Sequence, residues 1–213
     1  MCVAAVGDVA RGVGQAPIHH HRNCGVTNTV SDTLNFRNAT AADVDAIVAL
    51  VESAYRGDSS RQGWTTEANI LDGQRTDAAD VARLIAHEHS RVLLLTHSSG
   101  ELRACAHIER QNDACYFGMF SVNPTEQGSG IGRAMLAEGE RIARNDWQCC
   151  DMQMTVISIR DELIAWYERR GYQRTGIFKP FPYGDARFGL PKRDDLRFEI
   201  LSKRLFAAQA SVG

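Results

Sequence analysis

The sequence lacks long apolar runs, an excess of charge of either sign, and any cysteine pattern of a disulfide or zinc framework. Among its 213 residues, 24 Lys+Arg stand against 26 Asp+Glu, a formal net charge of −2. A domain built for a nucleic-acid backbone is ordinarily distinctly basic, so nucleic acid is not expected as a partner. A helix needs ~20 consecutive apolar residues to cross a bilayer, and Ala46–Val51 stops far short of that. No membrane partner is expected either. Cys2, Cys24, Cys105, Cys115, Cys149 and Cys150 include no C-x-x-C, and the adjacent Cys149–Cys150 suit neither a simple bridge nor a zinc knuckle. Free thiols fit a reducing compartment, so a cytoplasmic location is expected. No metal site is expected, because the His19–His21 run in a polar segment reads as solvated histidine. What is present, 44% hydrophobic and 23% charged residues, describes a soluble globular chain and excludes collagenous, coiled-coil and wholly disordered classes.

Residues 1–31 show no helical or alternating apolar period and carry Asp8 as their only acid. Arg11 and Arg22 with so little acid match transit-peptide composition, but without an amphipathic stripe the segment reads as a disordered tail. One domain, residues 32–207, is expected after it. Leu34–Arg37 alternates as a strand, and Thr40–Asp43 opens a helix with Val44, Ile47, Val48 and Val51 on one face. Tyr55–Thr76 is polar and reads as a long irregular segment; Asp77 then starts a second helix carrying Val81, Leu84 and Ile85. Val92–Leu95 suits a strand covered on both faces. In Leu102–Glu109, Cys105, His107 and Glu109 share a face; Ala114–Val122 is the next strand. A helix over Ile131–Asn145, a strand over Met152–Ile157, a helix capped by Ser158–Asp161 and ending at Gly171, and a strand over Asp195–Leu205 complete the reading. Strands in series before helices interleave imply a mixed sheet.

The most informative stretch runs from Ser121 to Arg133: a strand leads into Pro124, Gly128, Gly130 and Gly132 form a turn, and Ile131 starts an amphipathic helix. Glycines there let backbone N–H groups converge on one point, an anion site reinforced by the helix end and Arg133. No Lys follows, which excludes a Walker loop, and Arg133 occupies the last small position of a Rossmann fingerprint. Gln127-Gly128-Ser129-Gly130-Ile131-Gly132 instead fits [R/Q]-x-x-G-x-[G/A], preceded by Val122-Asn123-Pro124 and followed by Trp166-Tyr167 ahead of Gly171-Tyr172. In these elements the chain resembles the GCN5-related N-acetyltransferases, over roughly Leu34 to Leu205. The resemblance implies an α/β fold with a mixed, mostly antiparallel central sheet flanked by helices. It implies acetyl-coenzyme A as acyl donor, with the pyrophosphate at Gln127, Gly128, Ser129, Gly130, Ile131, Gly132 and Arg133 and the thioester near Phe120, Ser121 and Val122. Arg160 stands where members often carry an Asn near the pantetheine arm.

Acetyl transfer to an amine has two proton problems. An alkylammonium of pKa ~10.4 needs about 4–5 kcal/mol to become nucleophilic at neutral pH, and the leaving thiolate gains from a donor. The resemblance makes Tyr167 that donor, with the core of the helix as the competing assignment of its ring. Glu109 is the base candidate, with Tyr116, His107 or water as alternatives. Tyr55–Glu67 and Phe178–Phe188 mix aromatic and charged groups as the walls of a polar pocket would: Asp58, Glu67 or Asp185 suit an amine, and Arg56, Arg61 or Arg187 suit a carboxylate. The expected activity is transfer of acetyl to a small-molecule primary amine by direct attack in a ternary complex. The rivals are a protein Nα- or lysine acetyltransferase, a non-catalytic acyl-coenzyme A sensor, and a nucleotide-binding fold. The composition is compatible with a homodimer.

Overall fold

The computed structural model describes residues 34–206. The expected tail over 1–31, with His19–His21, Cys2 and Cys24, lies outside the described residues.

Strand β1 (Asn35–Asn38) leads through a 3-10 turn into α1 (Val44–Tyr55) and the single turn α2 (Gly57–Ser60). Asp43 organises that entry: it accepts from the Thr40 backbone N–H at 2.8 Å and is clamped by both Arg37 guanidinium nitrogens at 2.7 and 2.8 Å. Ile47, Leu50, Val51 and Ala54 form the buried stripe of α1, spaced as a helix face requires. After β2 (Leu71–Asp72), Asp77 caps α3 (Ala78–Ala86) by accepting from the Asp80 N–H at 2.8 Å. Then come β3 (Ser90–Thr96), β4 (Leu102–Gln111), β5 (Ala114–Val122), α4 (Ile131–Arg141), β6 (Asp151–Ile157), α5 (Asp161–Glu168), β7 (Gln173–Pro180), β8 (Leu190–Pro191) and β9 (Arg197–Arg204).

Seven strands form one sheet in the order β1-β3-β4-β5-β6-β9-β7. All neighbours are antiparallel except β5 and β6, which is the mixed, mostly antiparallel sheet expected. Strand β3 is covered on both faces, as its apolar run implies. Val92 and Leu94 pack under α1 and α3, whereas Leu93 and Leu95 face the core built by Met135 and Leu136 of α4 and Ile164 of α5. Buried Gly139 lets α4 approach closely, since a Cβ there would meet the Phe117 ring at 3.0 Å.

The sequence reading needs four corrections. The helix expected over Ile131–Asn145 is α-helical only to Arg141 and widens into a π-turn over Ile142–Asp146. No side chain caps α5; Arg160 occupies the N-cap position and its guanidinium reaches elsewhere. The polar segment 55–76 holds α2 and β2, and β2 pairs with β8 in a small second sheet. Strand β7 replaces the first residues of the expected loop over Phe178–Phe188. Its positions are all exposed, and a register shift near Gly176 (φ +73°) breaks the alternation that would have marked it.

Leu94 is fully buried whereas Leu190 is 54% exposed. Leu94→Ala is expected to lower unfolding free energy by about 2–5 kcal/mol. Leu190→Ala should stay within roughly 0.5 kcal/mol of wild type in the same urea titrations.

Candidate active site

Strands β5 and β6 pair only at Ala114–Asp151, Cys115–Met152 and Tyr116–Gln153, then part. Just beyond, Cys105 stays opposite Ser121 and His107 opposite Gly118, so Ala106 faces both Met119 and Phe120. This bulge places Met119 at φ +45°, in the left-handed region that a non-glycine residue occupies at a cost of about 1–3 kcal/mol. The Tyr55 hydroxyl, at the end of α1, donates to the Phe120 carbonyl and holds the bulge.

Two cavities flank the gap. The first, about 380 Å³, lies against the glycine turn and is lined by Phe120, Val122, Gln127, Gly128, Gly130, Gly132 and Arg133. Trp64, Thr65, Leu163, Trp166, Tyr167, Arg170 and Tyr55 complete its wall. Gly128 and Gly130 adopt φ +92° and +95°, and a Cβ on either would meet no heavy atom within 4 Å, so the turn leaves an open cradle at the start of α4. The charged residues of this wall are Arg133 and Arg170; neither is ion-paired among the described residues, and no carboxylate lines the cavity. Arg170 stacks on Trp166 with Cζ 3.5 Å from the ring centroid, and its Nε is buried without a partner. That donor set suits a diphosphate.

The remaining residues expected at this site do not line the cavity. Ser121 is buried with Oγ directed to the Met119 carbonyl at 3.5 Å, Ile131 packs into the core, and the Ser129 hydroxyl donates to the Glu126 carbonyl at 2.6 Å. Gln127 ties the wall together: its amide donates to Thr65 Oγ1 at 2.8 Å and crowds Gly63, where a Cβ would stand 2.7 Å away.

The second cavity, about 270 Å³, lies on the α1 side of the gap and shares Tyr55, Phe120, Leu163 and Tyr167 with the first. Tyr167 thus stands where the two meet. Its ring packs edge-on against Trp166 and Tyr172, and its hydroxyl has no hydrogen-bond partner among the described residues. Burial pushes the phenol far above the ordinary tyrosine range, so it keeps its proton at neutral pH. His107 and Tyr116 line this second cavity. His107 Nε2 lies 2.9 Å from Ser90 Oγ and 3.9 Å from Glu109, and burial lowers its pKa to about 4, leaving it neutral. Glu109 itself is half-buried behind His107 and lines neither cavity. Tyr116 fills the space beside Gly118, where a Cβ would fall 2.6 Å from its ring.

Of the candidate charges on the flanking segments, Asp58 pairs with Arg61 at 3.7 Å and Asp185 with Arg187, all away from both cavities. Glu67 and Arg56 lie inside. Glu67 joins Arg56 at 2.6 Å and Arg160 at 3.0 Å, and Arg160 also donates to the Thr65 carbonyl. Burial alone would raise the Glu67 pKa, but Arg160, Arg75 and Arg56 outweigh it and hold the carboxylate below its usual range. Arg75 and Arg160 were not among the charges assigned to the pocket from sequence; a cation is not distinguishable from a solvated one until the chain folds.

The sequence pattern of the Acetyltransferase (GNAT) family matches residues 49–172, and the chain belongs to that family. No curated protein matches the sequence. Among solved structures, the ribosomal-protein-S18-alanine N-acetyltransferase from Escherichia coli superposes with a TM-score of 0.62 at 16% identity, over 85% of this chain and 99% of that one. A spermidine N-acetyltransferase chimera from Vibrio cholerae and hSSAT gives 0.58 at 13% identity, over 81% and 95%. Nourseothricin acetyltransferase gives 0.56 at 16% identity, over 81% and 99%. At such identities the likeness is one of fold.

Glu67→Gln would strand two buried guanidinium groups and is expected to reduce stability by about 3–5 kcal/mol in denaturant melts at pH 7. Because the folded pKa of Glu67 lies below the unfolded value of ~4.3, its contribution is present above that pH. It disappears as pH falls through the folded value, so wild type and variant should converge in acid.

Proposed function

We propose that the chain transfers the acetyl group of acetyl-coenzyme A to the primary amine of a small molecule, by direct attack while both substrates are bound. The observation that carries this reading is the first cavity: an open glycine cradle with Arg133 and Arg170 and no acid, which meets a second cavity at Tyr167.

In this reading the backbone of Gly128–Gly132 and the two arginines hold the diphosphate, and the gap between β5 and β6 admits the pantetheine arm. Acetyl-coenzyme A supplies the thioester, the one electrophile the reaction needs. Backbone N–H groups of the bulge at Phe120–Val122 orient its carbonyl. The amine enters from the second cavity. Its proton leaves toward Glu109 by way of His107 and water, and Tyr167 donates its phenolic proton to the departing thiolate. Two walls crowded by Trp64, Phe181 and Phe188 favour a small acceptor over a protein terminus or lysine.

Acetyl-coenzyme A at a hundredfold excess over Kd should stabilise the protein by roughly 2.7 kcal/mol in a thermal-shift assay, with NAD and ATP giving no comparable shift. Stabilisation by NAD or ATP instead would favour a nucleotide-binding protein. Tyr167→Phe is expected to keep that stabilisation while kcat falls about 10²- to 10⁴-fold, read by thiol release; unchanged turnover would remove Tyr167 from the chemistry. Gly130→Ala, which forces a Cβ into the left-handed region at about 1–2 kcal/mol, should act mainly on the KM for acetyl-coenzyme A.

A further inference from the structure

The second cavity holds a cation that no carboxylate contacts among the described residues. Its charged lining is Arg56, Arg75 and Arg160 against Glu67 and Asp80. Arg56 and Arg160 share the Glu67 carboxylate, at 2.6 and 3.0 Å, and Asp80 is paired with Arg83 outside the cavity at 3.0 Å. Arg75 is left over. Its guanidinium makes no hydrogen bond or ion pair with any described residue; it lies over the Tyr55 ring, Cζ 5.4 Å from the centroid, with Glu67 and Glu52 acting on it only at longer range. The Glu52 carboxylate that could have neutralised it instead accepts the backbone N–H groups of Arg75 and Thr76 at 2.6 and 2.9 Å. That turn fixes the segment from which the Arg75 side chain projects. Tyr55, under the guanidinium, donates from its hydroxyl to the Phe120 carbonyl in the bulge. The free cation is therefore one side chain away from where the proposed reaction occurs.

Resting on the acetyltransferase reading, we propose that the acceptor amine also carries an oxyanion, a carboxylate in the simplest case, and that Arg75 receives it. A guanidinium fork is suited to a planar carboxylate. The rest of the wall, including Met119, Met154, Val156 and Phe181, is apolar and suits a short hydrocarbon skeleton between the two polar ends. A polyamine, with cationic groups at both ends, would set its second charge against Arg75 and find no unpaired carboxylate.

The test compares short ω-amino acids, whose amine and carboxylate stand at opposite ends, with their carboxamides and with spermidine as acceptors, using thiol release, in wild type, Arg75→Gln and Arg75→Lys. The acids are expected to show a KM lower than that of their amides by roughly 10- to 100-fold. Arg75→Gln should erase that preference, Arg75→Lys should retain part of it, and the KM for acetyl-coenzyme A serves as the internal control. Equal use of acid and amide, or preference for spermidine, overturns the inference while leaving the acetyltransferase reading intact. Stabilisation by acetyl-coenzyme A with neither turnover nor saturable binding of any acid overturns the inference alone. No stabilisation by acetyl-coenzyme A and no thiol release with any amine overturns both.

Discussion

Two parallel strands that begin as neighbours and fail to remain so shape both cavities of this fold. β5 and β6 share three residue pairs and then separate, because Met119 and Phe120 together occupy the space opposite Ala106. The separation leaves a slot through the middle of an otherwise continuous sheet, with the glycine turn and α4 on one side and α1 on the other. A regular β5 would close that slot by hydrogen bonding to β6 along its length. The strained φ of Met119 is therefore a requirement of the site, maintained by the hydroxyl of Tyr55 and by the cores packed on both faces.

The walls of the slot are held by polar contacts between segments far apart in sequence. Gln127 bonds the glycine turn to Thr65, and Arg160 at the start of α5 bonds both Glu67 and the Thr65 carbonyl. Residues 63–67 are thereby fixed across the slot although they belong to no long helix or strand. A buried carboxylate between two guanidinium groups contributes little as net stabilisation when set against an apolar replacement. Its effect is on position: with Arg56 and Arg160 both committed to Glu67, the lining keeps one fixed geometry and a surplus of positive charge.

Periodicity carried the parts of the fold that periodicity determines. The stripe of α1 is readable because its burial repeats at helical spacing, β3 because a continuous apolar run suits a strand covered on both faces, and the face shared by Cys105 and His107 because side chains alternate along a strand. Strand β7 was not, since an exposed edge strand with a shift at Gly176 has no reason to alternate. The glycine turn is legible because Gly128 and Gly130 adopt backbone angles that few other residues accept, and so the conformation is written in residue type. The lining supplied by Trp64, Leu163 and Arg170 was not legible: an aromatic or cation becomes part of a wall only through tertiary packing. Glu109, a base candidate by its strand position and the face it shares with His107, stands behind His107 and lines neither cavity. Arg160 carried a local signal of a different kind, as a departure from the family's usual residue, and its contacts with Glu67 and Thr65 supply the reason that the position is not free to serve as an amide donor.

The surplus positive charge bears on the harder of the two proton transfers. An ammonium group arriving at neutral pH must lose about 4–5 kcal/mol worth of protonation preference before it can attack. His107, whose pKa burial lowers to about 4, is a weak base, and Glu109 lies behind it, 3.9 Å away. A cationic environment shifts the equilibrium in the same direction, because each positive neighbour disfavours the charged form of the amine. Under the proposed reading, an acceptor with an oxyanion at one end is drawn in by Arg75, and that pairing cancels most of the Arg75 charge felt at the other end. The help that remains for freeing the amine comes from Arg56 and Arg160, whose two charges exceed the one of Glu67, while the proton itself leaves through His107 and water.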